Sequence, residues 1–143
     1  MLVRAILAFG LLILPGCSQS GPEESYRPVS IVNLLANPTA YHGKRVTVIG
    51  CVRTDFEGTV LYLHREDYEH LIPSNAIWLS FGENQPTAAQ RNLAGQYVIV
   101  EGRFDATHHG HFRIYPGALT EISRLEPWPP ASLVRPPARG RSQ

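Results

Sequence analysis

The 143-residue sequence has few of the features that mark the most easily identified protein classes. It contains no run of about 20 apolar residues, which a membrane-spanning helix requires. Only two cysteines occur, Cys17 and Cys51, so a disulfide framework is not expected. Neither sign of charge dominates, because 13 Lys and Arg residues stand against 12 Asp and Glu residues. The length fits one domain with additional segments at its ends.

Familiar catalytic signatures are also missing from the sequence. It has no G-x-S-x-G, H-E-x-x-H, paired C-x-x-C or phosphate-binding glycine loop. Cys51 lies in the apolar sequence VTVIGCV, where a cysteine usually behaves as a small buried hydrophobic residue. We therefore predict a protein that is not an enzyme and that carries no cofactor, with a divalent metal as the alternative considered below.

The first 17 residues have the pattern of an export signal. Arg4 gives a positive start, residues 5–14 form a short apolar run, and the sequence LPGC ends this stretch at Cys17. A charged start, an apolar run of about 7–15 residues and small residues before the cut are typical of a secretory signal peptide. A plain secretory signal with a chance cysteine is the alternative interpretation.

The sequence LPGC resembles the lipobox of bacterial lipoproteins. The resemblance implies that the thiol of Cys17 receives a diacylglyceryl group, that residues 1–16 are removed, and that the new amino group is acylated. Several acyl chains hold a protein firmly in a membrane, since each buried methylene contributes roughly 0.8 kcal/mol. Ser18 stands where enteric bacteria use Asp as a retention signal. We therefore expect a bacterial envelope location, in the outer membrane and facing the periplasm.

Two segments of low complexity flank the predicted domain. Residues 17–28 are polar with Gly and Pro and are interpreted as a flexible tether. Residues 127–143 carry five prolines and three arginines, which disfavour regular structure and packing. This tail is either a solvated disordered segment or a basic arm that contacts anionic lipid, envelope polysaccharide or a partner.

Residues 29–126 have the alternation of a β-rich domain. Two similar glycine-bounded strands, Gly43–Arg53 and Gly95–Phe104, match at Val46 with Val98 and at Val48 with Val100. Ser30 is predicted to cap a short helix before the first of these strands, and Gly50 is expected to make a bulge or a sharp coil within it. The other predicted elements are strands at 59–64 and 76–81, a short helix capped by Thr87, and a fifth strand beginning at 111–115 and continuing after Pro116-Gly117.

This order predicts a mainly β fold, namely a five-stranded OB-like barrel with a short N-terminal helix and one or two short connecting helices. The sequences ANPTAYHGKRVTVIGCV, NAIWL and GHFRIYPGAL are also similar to those of small exported bacterial OB-fold proteins, some of which are described as similar to tRNA-anticodon-binding domains. The resemblance covers residues 29–125. It implies the fold and leaves the ligand open.

In an OB fold, ligands meet the face of the second and third strands and the loops joining strands one to two and four to five. Alternation places several aromatic and polar side chains on that face, where they could stack on bases or sugars or anchor a protein. The predicted binding residues are Tyr62, His64, Trp78, Ser80, His111, Arg113 and Tyr115. Packing of Tyr62 and Trp78 in a second small core, under the residue 65–75 segment, is the alternative.

Charge argues against a nucleic-acid ligand. Between residues 28 and 126, eight basic residues stand against ten acidic ones, whereas affinity for phosphates requires a basic groove. A divalent metal is an alternative, because carboxylates of the one-to-two loop could meet imidazoles of the four-to-five loop. Its predicted ligands are Asp55, Glu57, His108, His109 and His111.

The sequence thus predicts an envelope protein, tethered to the membrane by acyl chains on Cys17, whose barrel binds a protein or glycan partner. The alternative is a periplasmic module that binds a metal or a small ligand through the loop from His108 to His111.

Overall fold

The computed structural model describes residues 25–130 and Leu133. Cys17, the signal sequence and the arginines of the tail lie outside the described residues. Among the described residues, no helix has both the length and the apolar character needed to cross a membrane.

Six strands and several short helical turns make up the described chain. The strands are β1 (Arg27–Pro28), β2 (Arg45–Asp55), β3 (Gly58–Tyr62), β4 (Ala76–Leu79), β5 (Tyr97–Asp105) and β6 (Ala118–Pro127). The helices are α1 (Ile31–Ala36), α2 (Pro38–Tyr41), α3 (Arg65–Glu69) and α4 (Ala88–Arg91), with 3-10 turns at Pro73–Asn75 and His111–Arg113. The mainly β class and the short helices predicted from the sequence are thereby confirmed.

The strands form one mixed sheet in the order β1-β2-β3-β4-β6-β5, and β2 also pairs with β5. The five longer strands therefore close into a ring. Most neighbours are antiparallel, while β4 pairs with β6 in parallel and β1 pairs with β2 in parallel at one edge. The long β2 makes the closure possible, because residues 45–51 pair with β5 and residues 51–55 pair with β3.

Local signals in the sequence identify the starts of α1 and α4 correctly. The hydroxyl of Ser30 accepts a hydrogen bond from the Val32 amide at 3.2 Å, and α1 ends before Pro38. Thr87 caps α4 through a reciprocal capping box with Gln90. Such side chains bind amide groups that the first helical turn leaves unpaired.

The main core lies inside the ring. Val46, Val48 and Val52 of β2 are fully buried, as their alternation predicts, and α1 adds Ile31 and Leu34. Each fully buried side chain of this size contributes about 1.5–3 kcal/mol. The register of β2 passes through Gly50 without a shift, so the bulge expected there does not form. A shift occurs in the β5–β6 ladder instead, between Glu101 and Arg103.

The first part of one predicted strand is wrong, while its continuation after Pro116-Gly117 is confirmed by β6. His111–Arg113 is a 3-10 turn, and the last strand begins only at Ala118. Phe112 and Arg113 have φ values of 55° and 57°, which a strand cannot contain. The alternation assumed for this segment therefore does not place His111, Arg113 and Tyr115 on a sheet face.

Both predicted flanking segments share residues with the sheet. Arg27 and Pro28, assigned to the tether, form β1. Pro127, assigned to the tail, is the last residue of β6, and the Trp128 amide donates to the Tyr97 carbonyl at 2.8 Å. The two ends of the described chain are thus fixed to the sheet by backbone pairing.

Candidate functional site

A cleft opens where the turn between β2 and β3 meets the loop that precedes β6. Its volume is about 180 Å³. We call it the aromatic cleft, and it is lined by Arg53, Asp55, Glu57, Val60, Tyr62, Leu71, Pro73, Trp78, His111, Phe112, Ile114 and Tyr115.

Four of the seven sequence-predicted binding residues line this cleft. Tyr62 lies on β3, Trp78 on β4, and His111 and Tyr115 in the loop before β6. The other three, His64, Ser80 and Arg113, do not line it. His64 is the exposed N-cap of α3, and Arg113 is exposed beyond the cleft.

The floor of the cleft is a second small core. Cys51, Val60, Tyr62 and Ala76 are buried together, and the half-buried Tyr68, Trp78, Tyr97 and Tyr115 pack against them. The Tyr62 and Tyr68 rings meet edge to face at 6.1 Å between centroids. Packing and cleft lining, the two alternatives for Tyr62 and Trp78, therefore coexist in this structure.

Trp78 is held from several sides. Its ring centroid lies 5.5 Å from that of Tyr115. A Cβ atom placed on Gly58 would lie 2.1 Å from the indole, and one placed on Gly110 would lie 2.6 Å from it. The backbone at the start of β3 and the backbone of the loop before β6 thus pass directly against Trp78, in conformations with φ of 145° and 61° that favour glycine.

Asp55 shapes the β2–β3 turn. One carboxylate oxygen accepts hydrogen bonds from the amides of Glu57 and Gly58 at 3.0 and 3.3 Å. The other accepts one from the Arg53 Nε at 2.6 Å. This pattern is that of an Asx turn, and it occupies both oxygens with groups of the protein itself.

Two tyrosine hydroxyls lie at the polar end of the cleft, beside Arg53. Burial raises the pKa of Tyr62, against the opposing effect of Arg53 and of a hydrogen bond with Tyr115. Burial, with the neighbouring Tyr62, raises the pKa of Tyr115 to about 12. Both phenols therefore stay neutral at physiological pH, and the cleft offers hydrogen-bonding groups without a phenolate.

The five predicted metal ligands are not gathered in one place. Asp55, Glu57 and His111 line the cleft, while the Nδ1 of His109 lies 2.9 Å from the Tyr115 carbonyl oxygen. Within residues 25–130 and 133, no group of three or more His, Cys, Asp or Glu side chains is arranged to hold a metal ion. The metal site stays a prediction from the sequence.

Cys51 is fully buried in the second core and forms no disulfide. Burial raises the pKa of its thiol, and nearby Arg65 only partly opposes this effect. A buried thiol with a raised pKa is a poor nucleophile.

The rim of the cleft is more apolar than the alternation of strands indicates. Phe112 is 70% exposed, and Leu71 and Ile114 are about half exposed. Phe112 also stacks on His111, with ring centroids 3.9 Å apart. Reasoning from the sequence missed these three residues, because they lie in turns where no periodicity exists.

No protein-family model, curated protein or solved structure matches this chain.

Proposed function

We propose that this chain is a lipid-anchored protein of the bacterial envelope whose OB-like barrel binds a protein partner through the aromatic cleft. The closed ring of five strands supports the barrel. The position of the cleft supports binding, since OB folds use the face of their second and third strands together with the loops after the first and fourth. In this chain those elements are β3, β4, the β2–β3 turn and the loop that holds Gly110.

The observation that carries the proposal is the conformation of Phe112. Phe112 and Arg113 both have left-handed backbone angles, each of which costs roughly 1–2 kcal/mol for a residue other than glycine. The same turn leaves the Phe112 ring 70% exposed, so folding gains little from it. Strain of this kind clusters at active sites and ligand-binding sites, where the surrounding structure holds the strained residues in place.

The chemistry of the cleft favours a protein over a glycan. Exposed Phe112, Leu71 and Ile114 border a floor that contains Tyr62 and Trp78. Aromatic and aliphatic groups around a small pocket are typical of the energetic centre of a protein interface. The cleft, at about 180 Å³, is smaller than the 300 Å³ or more of most small-molecule sites, and its size suits one large side chain of a partner.

Anchoring is supported by the LPGC sequence, which ends at Cys17. Cells fed a clickable fatty acid should label the wild-type protein and should not label a Cys17→Ser variant. A wild-type protein that stays unlabelled contradicts the anchor and leaves the cleft proposal intact.

Site-specific photo-crosslinking in intact cells tests the cleft. A benzophenone amino acid replaces Phe112 in one strain and Val32 in a control strain. Val32 is 51% exposed on α1 and does not line the cleft. We expect a discrete protein adduct from position 112 and none of the same mass from position 32.

Two results would contradict the proposal. Adducts that contain only peptidoglycan or polysaccharide would make the partner a glycan. Identical adducts from positions 112 and 32 would show that the partner contacts the protein without binding in the cleft.

A further inference from the structure

The molecule has a second surface feature, an apolar groove of about 540 Å³ on the outside of the sheet. Ile49 of β2 and Ile99 of β5 form its floor, and Pro28, Val29 and Trp128 lie at its sides. Ile49 is 38% exposed, although it lies in the middle of the longest strand. The groove is distinct from the aromatic cleft, with which it shares no residue.

Both ends of the described chain border this groove. The Val29 amide donates to the Thr47 carbonyl at 2.9 Å, which fixes the incoming segment on β2. The Trp128 amide donates to the Tyr97 carbonyl at 2.8 Å, which fixes the outgoing segment on β5. The incoming segment therefore borders the groove at the Val46 end of β2, and the outgoing segment borders it at the Cys51 end.

We propose that this groove is the surface on which the domain lies against an anionic bilayer. The inference rests on the proposed anchor at Cys17. Only nine residues, 18–26, separate Cys17 from β1, and they span at most about 30 Å when extended. The acyl chains thus keep the groove within reach of the headgroups.

The positive charge of the chain segment beyond Trp128 is complementary to an anionic bilayer. Residues 127–143 contain Arg135, Arg139 and Arg141 and no acidic residue. Each arginine near an anionic leaflet contributes about 1 kcal/mol of attraction. Tryptophan is itself enriched at membrane–water interfaces, where its ring is apolar and its N–H stays hydrated.

A second copy of the chain fits the groove less well. A stable interface involves about 20–30 residues on each side, whereas the groove is lined by seven. The proposed orientation also leaves the aromatic cleft free, since Asp55 lies six residues beyond Ile49 on β2, or about 20 Å along the strand.

The test uses the protein purified from its own membranes and reconstituted in phosphatidylglycerol and phosphatidylethanolamine vesicles. The vesicles are made in two equal batches, one of which carries bromine on its acyl chains. Bromine quenches the fluorescence of nearby tryptophan. We expect bromine to reduce the fluorescence emission of Trp128 by roughly half, because the proposed orientation places this ring at the membrane–water interface. The Trp128→Phe variant, which retains Trp78, should lose this quenching.

A charge introduced into the groove separates docking from anchoring. Ile49→Glu should remove the quenching while the protein stays with the vesicles. Ile72→Glu makes the same change at the 37% exposed Ile72, which lines neither the groove nor the aromatic cleft, and should leave the quenching unchanged.

Three results would overturn the inference. They are wild-type emission that bromine does not affect, quenching that persists in Ile49→Glu, and a dimer that Ile49→Glu dissociates. Mass spectrometry of the N-terminal peptide reports on the anchor separately. If Cys17 carries no lipid, the anchor proposal fails, and the same quenching measurement on protein mixed with these vesicles still decides the role of the groove.

Discussion

Replacing Gly110 with alanine tests the packing of Trp78, on which the shape of the cleft depends. The new Cβ would lie 2.6, 2.7 and 2.8 Å from three indole carbons. Carbon atoms prefer about 3.5–4.0 Å, so the ring or the loop must move by roughly 1 Å. Two of the three carbons, Cγ and Cδ2, are at the base of the ring, where a small rotation brings little relief.

The expected loss of stability has two parts. Alanine at φ of 61° costs about 1–2 kcal/mol, and overpacking of a filled site costs about 1–3 kcal/mol. Gly110→Ala should therefore lower the free energy of unfolding by about 2–5 kcal/mol. For a domain of about 100 residues, each 1 kcal/mol corresponds to about 4–8 °C in Tm.

Gly82→Ala is the matched control, because Gly82 has a φ of 63° with nothing within 4 Å of its Cβ position. It should lose only the conformational part, about 1–2 kcal/mol. Urea unfolding of the chain from Ser18, followed by circular dichroism, measures both variants. In a Trp78→Leu background, the cost of Gly110→Ala should fall to that of Gly82→Ala. Equal losses for the two variants in the wild-type background would refute the described packing.

Three further predictions concern single side chains. Asp67→Ala should lower the free energy of unfolding by about 1–3 kcal/mol, because the carboxylate accepts hydrogen bonds from the His64 amide and the Asn75 side chain. Glu66→Ala, at an exposed position, is the control, and equal losses of the two variants in urea unfolding would contradict this prediction. Cys51 should react with a thiol reagent only when the chain unfolds, and rapid modification of the native protein would contradict its burial. Because the pKa of Tyr115 is raised to about 12, its contribution to stability is complete below pH about 10 and is lost as the pH rises towards 12. The urea midpoint should fall over that interval, and Tyr115→Phe should reduce the fall.

Short-range chemistry explains which parts of the fold the sequence predicts. Ser30 and Thr87 bind amides two or three residues away, so their helices can be identified without knowing the tertiary structure. The alternation of Val46, Val48 and Val52 likewise reports burial directly. Alternation does not predict the burial of Cys51, which lies on the other face of β2. Cys51 is fully buried because a second core forms on that face.

The candidate site is predictable only in part, because some of its residues lie on strands and others lie in turns. Tyr62 and Trp78 lie on strands, and their periodicity places them on one face. The segment from His111 to Tyr115 resembles a strand in composition, yet Phe112 takes a left-handed conformation that no local signal reveals. The exposure of Phe112 depends on contacts between the loop and Trp78, which lies more than 30 residues earlier in the chain.

The affinity of the crosslinked partner for a Phe112→Asn variant tests the central claim most directly. Asparagine tolerates the left-handed conformation better than phenylalanine, so the variant should unfold at the same urea concentration or a higher one. Removing an exposed aromatic anchor should cost the complex about 2 kcal/mol or more, a decrease in affinity of more than about tenfold, while Val32→Asn leaves the affinity unchanged. Unchanged affinity of Phe112→Asn would contradict the assignment of the aromatic cleft as the binding site.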